Sequence, residues 1–298
     1  MRTRPHPLTG ERPAAGRGSA PADGAACHDV RVTEHAGGSV QRPRRGRPFE
    51  VVAHRGASGE APEHTLAAYR RAIEEGADSL ECDVRLTADG HLVCVHDRRV
   101  DRTSDGRGAV SALELAELAE LDFGSWKAGS PDAARLPGGE LTSVLTLERL
   151  LELVAHTPRP VGLAIETKHP TRWAGQVEER LLVLLRRYRE LPGLRVMSFS
   201  ARSLERVRAG APWVPTAYLM QWLLPRHRDG SLPPGVSIAG PHVRVLRSHP
   251  DYVARAHRAG HRVHVWTVDE PEDVELCVRL GVDAVITNRP SRVRAQLE

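Results

Sequence analysis

From residue 51 to residue 287 the chain alternates short apolar runs with amphipathic helical patterns. That alternation restricts the fold more than any other feature. Strand-like runs cover 51–54, 79–83, 163–168, 195–198, 216–219, 236–238, 264–267 and 284–287. Helical patterns fill most of the gaps. One covers 63–75, with Leu66, Tyr69, Ala72 and Ile73 on one face and Gly76 as a stop. A second covers 146–155 and is opened by Thr146 as a cap; others cover 172–189, 201–208, 250–259 and 271–280. Eight strands separated by helices over roughly 245 residues predict a parallel sheet closed into a (β/α)8 TIM barrel. An open doubly wound sheet is the alternative, but no GxGxxG or Walker-type loop follows any strand.

Two segments depart from the alternation. The turn signal Ala88-Asp89-Gly90 sends the chain back through an extended run at 92–96. Residues 97–140 are then polar and glycine-rich, with one helical pattern at 111–121, and read as a small insertion after the second strand. If the hairpin is centred between Asp89 and Gly90, facing residues have numbers summing to about 179. Asp83 then faces His96, and Glu81 shares its face because strand side chains alternate.

A barrel places its chemistry at the C-terminal ends of its strands. Those ends here read His54-Arg55, Glu81 and Asp83, Glu166 and Lys168, Ser198 to Ser200, Trp266-Thr267 and Thr287-Asn288. Packing alone would favour Val, Ile or Leu. Glu81, Asp83 and Glu166 bring three carboxylates to one mouth, where like charges ~4 Å apart cost about 4 kcal/mol per pair at an effective dielectric near 20. Either some are protonated or a cation offsets them. An all-oxygen set suits one hard divalent ion, Mg²⁺ or Ca²⁺, better than zinc.

Lys168 stands out because only two of the 42 basic residues are lysines. A compact ammonium at that strand end, with the Arg55 guanidinium fork and a metal, suits a phosphoryl group whose charge grows in the transition state. An internal salt bridge from Lys168 to Glu166 or Glu63 is the competing reading. His54 and His96 supply a general acid and a general base near neutral pH. His257, His261 and His264 look like a second cluster, but Gly260 interrupts them. Exposed positions on a helix-to-strand connection account for them better than a second metal site.

These residues resemble the glycerophosphodiester phosphodiesterase family, within the phospholipase C-like TIM-barrel phosphodiesterases. The matching segments are AHRG (53–56), PEHT (62–65), ECDVRLTADG (81–90), VHD (95–97), the segment 101–104, IETK (165–168), MSFS (197–200), VWTVD (265–269) and ITNRP (286–290). They follow one another in family order over nearly all of the chain after residue 49. The resemblance implies hydrolysis of glycerophosphodiesters to sn-glycerol 3-phosphate and an alcohol, with Mg²⁺ or Ca²⁺. Attack is by water or, through a cyclic phosphate, by the substrate's own hydroxyl. By the same resemblance His54 and His96 are the acid–base pair, and Glu81, Asp83 and Glu166 the metal ligands. Arg55 and Lys168 are phosphate contacts, and Trp266 is a wall of the substrate pocket; Glu63 and His64 are further candidates. Two positions depart from the pattern. His64 stands where the family usually has Asn, which makes the charge there pH-dependent. Asn288 stands where Asp is commoner, a position expected to be structural.

Charge and cysteines bound the remaining possibilities. Residues 1–48 carry nine arginines against four acids, a net +5, so the +4 of the whole chain leaves the rest near −1. Residues 1–48 are expected to be a disordered basic extension, 49–298 the barrel, and the near-neutral barrel gives little support for nucleic-acid binding. No apolar run reaches the ~18 residues of a membrane helix, and residues 181–185 (LLVLL) are flanked by arginines. No apolar segment suited to a secretory signal opens the chain. Cys27, Cys82, Cys94 and Cys277 show no CxxC pairing, and alternation puts Cys82 and Cys94 on opposite faces. Reduced thiols, a cytoplasmic location, a small-molecule substrate and no stable membrane anchoring are the expectation. The oligomeric state stays open. A barrel phosphodiesterase acting on lysophospholipids (in the manner of a phospholipase D) or on phosphoinositides is the alternative, with residues 218–225 (YLMQWLLP) as a possible apolar rim. A non-catalytic binding barrel fits the intact acidic and histidine set poorly.

Overall fold

The computed structural model describes residues 49–127, 142–168 and 175–298. The expected disordered extension at 1–48 lies outside them, as do part of the insertion and the start of the pattern at 172–189. The described strands are β1 (Glu50–His54), β2 (Ser79–Leu86), β3 (Leu92–Cys94), β4 (Gly162–Thr167), β5 (Leu194–Ser198), β6 (Thr216–Met220), β7 (Ile238–Pro241), β8 (Arg262–Trp266) and β9 (Ala284–Thr287). All but β3 pair in parallel, and β1 is hydrogen-bonded to both β2 and β9. The eight parallel strands therefore close into the (β/α)8 barrel expected from the alternation.

Helices wrap this sheet: α1 (Leu66–Glu74), α2 (Leu115–Ala119), α3 (Leu147–Ala155), α4 (Gln176–Arg187), α5 (Ala201–Gly210), α6 (Val243–Ser248), α7 (Tyr252–Arg258), α8 (Pro271–Leu280) and α9 (Pro290–Leu297). α3 shows why the local sequence is helical. The Thr146 side chain accepts from the Arg149 amide, and Leu147, Leu150, Leu151 and Val154 bury one face at helical spacing. α6 and α9 carry too few apolar positions to stand out as patterns.

Each barrel strand is buried on both faces, as parallel strands covered by helices must be. Val51, Ala53, Leu80, Ile165, Val196, Val263 and Val285 join the core under the helices. Val52, Ala164, Met197, Ala217, Leu219, Ile238, Ala284 and Ile286 fill the barrel interior. Beneath that layer lies a polar floor at the N-terminal ends of the strands. There Arg195 Nη2 meets Glu50 Oε1 at 2.8 Å, Ser79 donates to Glu50, and the buried ring of His264 has no hydrogen-bond partner on either nitrogen. Of the tempting histidine trio, His264 is thus in the interior while His257 pairs with Asp283 at 2.9 Å. They do not converge.

The hairpin register corrects one expectation. Val84 pairs with Cys94 and Arg85 with Val93, so facing numbers sum to 178 and Asp83 faces Val95, not His96. The cause is the turn. Thr87 donates to the His91 carbonyl, and Gly90 takes φ +89° between them, giving a three-residue loop centred on Asp89. The shift also puts Cys82 and Cys94 on one face, both free and buried, with their side chains in hydrogen-bond contact. His96 still reaches the site because the chain leaves β3 after Cys94, and Arg85 Nη2 donates to the His96 carbonyl at 2.6 Å.

Beyond β3, Val93, Val95, Val100, Val110, Leu118 and Phe123 form a small core separate from the barrel. The helical pattern at 111–121 is broken there. Leu113 is extended, and its carbonyl accepts from Ala88, so α2 restarts from a capping box between Glu114 and Glu117. Among the described residues no helix is long and apolar enough to cross a membrane.

Candidate active site

Glu81 and Asp83 lie on β2 and Glu166 on the adjacent β4, where Asp83 and Glu166 are register partners. Barrel closure thus brings the three carboxylates together, with one oxygen of each within 4.8 Å of the others and all three buried. Among the described residues this is the one group of His, Cys, Asp and Glu side chains close enough to hold a metal ion. Glu81 Oε1 is buried without a hydrogen bond, as an oxygen reserved for a cation would be. The donor set fits a hard divalent ion.

Cations already crowd this cluster. Lys168 Nζ lies 2.9 Å from Asp83 Oδ1 and 2.7 Å from Glu166 Oε1, so the salt-bridge reading of Lys168 holds for Glu166 but not for Glu63. Arg55 Nε is 3.0 Å from Asp83 Oδ2. Two cations against three carboxylates leave one negative charge over. The imbalance shows in their protonation. Burial opposes the charge of Asp83, but Lys168, a hydrogen bond from His64 and Arg55 hold its carboxyl well below the usual range. Burial and the Asp83 charge push Glu166 up to about 8, and burial with Asp83 and Glu166 pushes Glu81 well above the ordinary value.

The segment after β1 is bent to serve the site. Arg55 (φ 59°) and His64 (φ 61°) both adopt the left-handed conformation, and the His64 amide donates to the Arg55 carbonyl. Such a backbone costs ~1–2 kcal/mol for a residue with a Cβ, and Asn and His are among those that tolerate it best. Gly56 follows with φ +82° where a Cβ would lie 2.6 Å from the Ala68 carbonyl carbon. In this bend the Arg55 amide donates to Glu81 Oε2 at 3.0 Å, and His64 Nε2 lies 2.8 Å from Asp83 Oδ2. His64 Nδ1 lies 2.9 Å from the Tyr69 hydroxyl oxygen, and that hydroxyl donates to the Glu81 carbonyl. His64 therefore occupies the Asn position as a buried hydrogen-bond partner of a carboxylate.

The two histidines flank the cluster in different surroundings. His54 Nε2 is 4.0 Å from Glu81 Oε2, and its Nδ1 is 2.7 Å from Asn288 Oδ1. Asn288 is itself fixed: its amide nitrogen donates to Asp269 Oδ2 at 2.6 Å and Ser58 donates to its Oδ1. An amide oxygen can only accept, so His54 carries its proton on Nδ1 and presents a bare Nε2. Burial, then the Arg55 charge, lowers His54 to about 3, so the ring is neutral. The structural role expected for Asn288 takes the form of a hydrogen bond that holds the His54 ring. This link was missed although its signal exists: barrel closure pairs Ala53 with Thr287, which makes His54 and Asn288 neighbours.

His96 Nδ1 is 2.7 Å from Asp97 Oδ1, and the other Asp97 oxygen accepts from Arg102 Nε at 2.6 Å. Arg102 continues to Glu63 at 2.7 Å, and Glu63 accepts from Arg55 at 3.1 Å. A chain of charged groups thus runs from His96 back to the carboxylate cluster. Burial opposes the charge of Glu63, but Arg102 and Arg55 hold it down at about 2. Opposite this chain Trp266 is fixed by its indole N–H, which donates to the Gly240 carbonyl at 2.7 Å, and by edge contacts to Phe199 and His242. These contacts link His54, Arg55, Glu63, His64, Glu81, Asp83, Glu166 and Lys168, with His96 joined through Asp97 and Arg102, whereas the contacts of Trp266 are with Gly240, Phe199 and His242. Asp97, Arg102, Asn288, Asp269 and Tyr69 are the additions.

The model of the glycerophosphoryl diester phosphodiesterase family matches residues 54–292. The chain belongs to this family. Among its relatives, the "Probable glycerophosphodiester phosphodiesterase 1" of Mycobacterium tuberculosis is 47% identical over 263 residues, covering 85% of this chain and 93% of that protein. The glycerophosphodiester phosphodiesterase of Caldanaerobacter subterraneus is 36% identical, covering 80% of this chain and 94% of the relative. A phosphodiesterase from Oleispira antarctica, solved with its product sn-glycerol-3-phosphate, matches with TM-score 0.72 and 28% identity over 84% of this chain and 97% of that one. Family membership makes the chain a phosphoric diester hydrolase acting on glycerophosphodiesters, and gives the carboxylate cluster its context.

Proposed function

We propose that this mouth hydrolyses glycerophosphodiesters to sn-glycerol 3-phosphate and an alcohol, with His54 as general base and His96 as general acid. The observation that carries the reading is the pairing of each imidazole with a different partner beside one buried carboxylate cluster. Asn288 is a neutral acceptor, so it leaves His54 unprotonated with a bare Nε2 that can take a proton from the attacking hydroxyl. Burial, Lys168 and Arg55 hold the His96 pKa below its ordinary value, and Asp97, a carboxylate, works against them by favouring the imidazolium that protonates the departing alkoxide. Glu81, Asp83 and Glu166 would hold a Mg²⁺ or Ca²⁺ ion, which would supply Lewis-acid stabilisation of the phosphoryl oxygens. Arg55 and Lys168, already turned toward that cluster, donate to the same oxygens as their charge grows. Trp266 forms the wall against which the glycerol arm rests.

The test is direct. Glycerophosphocholine and glycerophosphoethanolamine are incubated with Mg²⁺ or Ca²⁺, and product is coupled to glycerol-3-phosphate dehydrogenase. The expected result is a metal-dependent signal abolished by EDTA. No such signal with these or with glycerophosphoglycerol would sink the assignment. One observation favours a second reading. Phe199, Trp222 and Leu224, which follow β5 and β6, are 42%, 65% and 40% exposed, an apolar rim on which an acyl chain could lie. Turnover of lysophosphatidylcholine exceeding that of glycerophosphocholine would favour lysophospholipids as substrates.

A further inference from the structure

Beside His96 lies a cavity of about 470 Å³ whose lining includes none of the three carboxylates. Four arginines (Arg85, Arg98, Arg99 and Arg102) face two acids, Asp97 and Asp101, across it. The lining therefore carries two positive charges in excess before any charge on His96, and the two acids are already engaged. Asp97 is held by Arg102, and Asp101 accepts from Arg99 and from the Gly108 amide. Arg85 is half-buried and spends its Nε and Nη2 on the His96 carbonyl, which leaves Nη1 without an acceptor. Arg98 has neither carboxylate nor carbonyl partner among the described residues. Arg98 is exposed and Arg85 half-buried, so both guanidiniums are open to take a ligand's negative charge across this cavity.

A glycerophosphodiester has two arms, and the glycerol arm is neutral. We propose that this cavity receives the alcohol arm when it bears a second phosphate, so that the enzyme prefers glycerophosphodiesters with a phosphorylated head group. The +2 excess of the lining matches the charge of a phosphate monoester near neutral pH. Arg85 and Arg98 would take its oxygens, and His96, which also lines the cavity, would stand beside the ester oxygen of that same arm. A choline head group, which carries a positive charge, is disfavoured by the same lining. The inference rests on the proposed reading of the carboxylate cluster as the phosphodiester-cleaving centre.

The experiment compares kcat/KM for glycerophosphoglycerol, its terminal phosphate monoester and glycerophosphocholine, in Mg²⁺, at low and high salt. The phosphorylated substrate is expected to exceed the neutral one by about tenfold at low ionic strength, with the ratio falling as salt screens the cavity. Arg98→Glu should lower that ratio to one or below, while Arg98→Lys retains most of it. A ratio at or below one in the wild-type enzyme, or a ratio unchanged in Arg98→Glu, overturns the proposal and leaves the hydrolase assignment standing. No turnover of any of the three overturns that assignment, and this inference with it.

Discussion

His264 offers a stability measurement whose size follows from its surroundings. The ring is fully buried in the polar floor of the barrel, and neither nitrogen has a hydrogen-bond partner. Burial, and then the charges of Arg195 and Arg262, hold its pKa well below the ordinary 6.5. Folded His264 is therefore neutral, whereas in the unfolded chain it takes up a proton below about pH 6.5. Stability is complete above that value and is lost as pH falls, by about 1.4 kcal/mol per unit for as long as the folded ring stays neutral. The proposed perturbation is His264→Leu, which keeps an interior side chain of similar size and removes both orphan nitrogens. Leaving such groups unpaired costs ~1–3 kcal/mol, so the variant should be at least as stable as wild type near neutrality. The difference should then widen by about 1 kcal/mol between ~pH 6.5 and ~pH 5.5. Urea unfolding of both proteins at several pH values reads this directly, because every other titrating group cancels in the comparison. Parallel stability curves for the two proteins would refute the reasoning. So would a loss of more than ~2 kcal/mol at neutral pH, since that requires the ring to hold a structural hydrogen bond.

Three further predictions concern the mouth. His96→Ala should lower kcat by roughly 10²–10⁴-fold with an unchanged urea midpoint; near-wild-type turnover would remove His96 from the acid–base pair. Asn288→Leu should lower kcat by about 10–100-fold, the usual scale for losing a group that orients a site residue, with KM little changed. Asn288→Asp keeps the acceptor but favours protonation of His54, so its activity should approach wild type toward high pH and fall at lower pH; losses equal to those of Asn288→Leu at every pH would mean that tautomer control is not what Asn288 provides. His64→Asn should fold within ~1 kcal/mol of wild type, because Asn tolerates the left-handed backbone and can still donate to Asp83, whereas His64→Ala should cost ~2–3 kcal/mol in the same melt.

The barrel was readable because its signal is repetitive. Eight runs, each bounded by a helix, survive errors of a residue or two at any boundary. The hairpin was not so forgiving. One residue decided whether Asp83 faced Val95 or His96, and the decision rested on whether Asp89-Gly90 formed a two-residue or a three-residue loop. A sequence containing Asp-Gly allows both, and Gly90 with positive φ is required by either. The hydrogen bond from Thr87 to His91 settles it, and that is a property of the folded turn. α6 was unreadable for another reason: six residues following Pro241-His242 are too few for periodicity to register.

The carboxylates and histidines were legible because ionisable residues at barrel strand ends are improbable on packing grounds. Their partners were not, because Asn288, Asp269 and Tyr69 look ordinary until the barrel is closed. Asn288 shows the limit most clearly. As a departure from the family pattern it reads as a charge removed near the last strand end, and so as a structural position. Once β9 is paired with β1, the relevant property is the Oδ1 acceptor, which Asn and Asp share. The missing charge then has its own effect, because Asp at this position would favour protonation of His54 as Asp97 favours that of His96. With Asn, the two imidazoles face acceptors of unequal charge, and that asymmetry separates a proton-accepting histidine from a proton-donating one. His64 follows the same logic: what its position demands is a left-handed backbone and a donor toward Asp83, and imidazole supplies both.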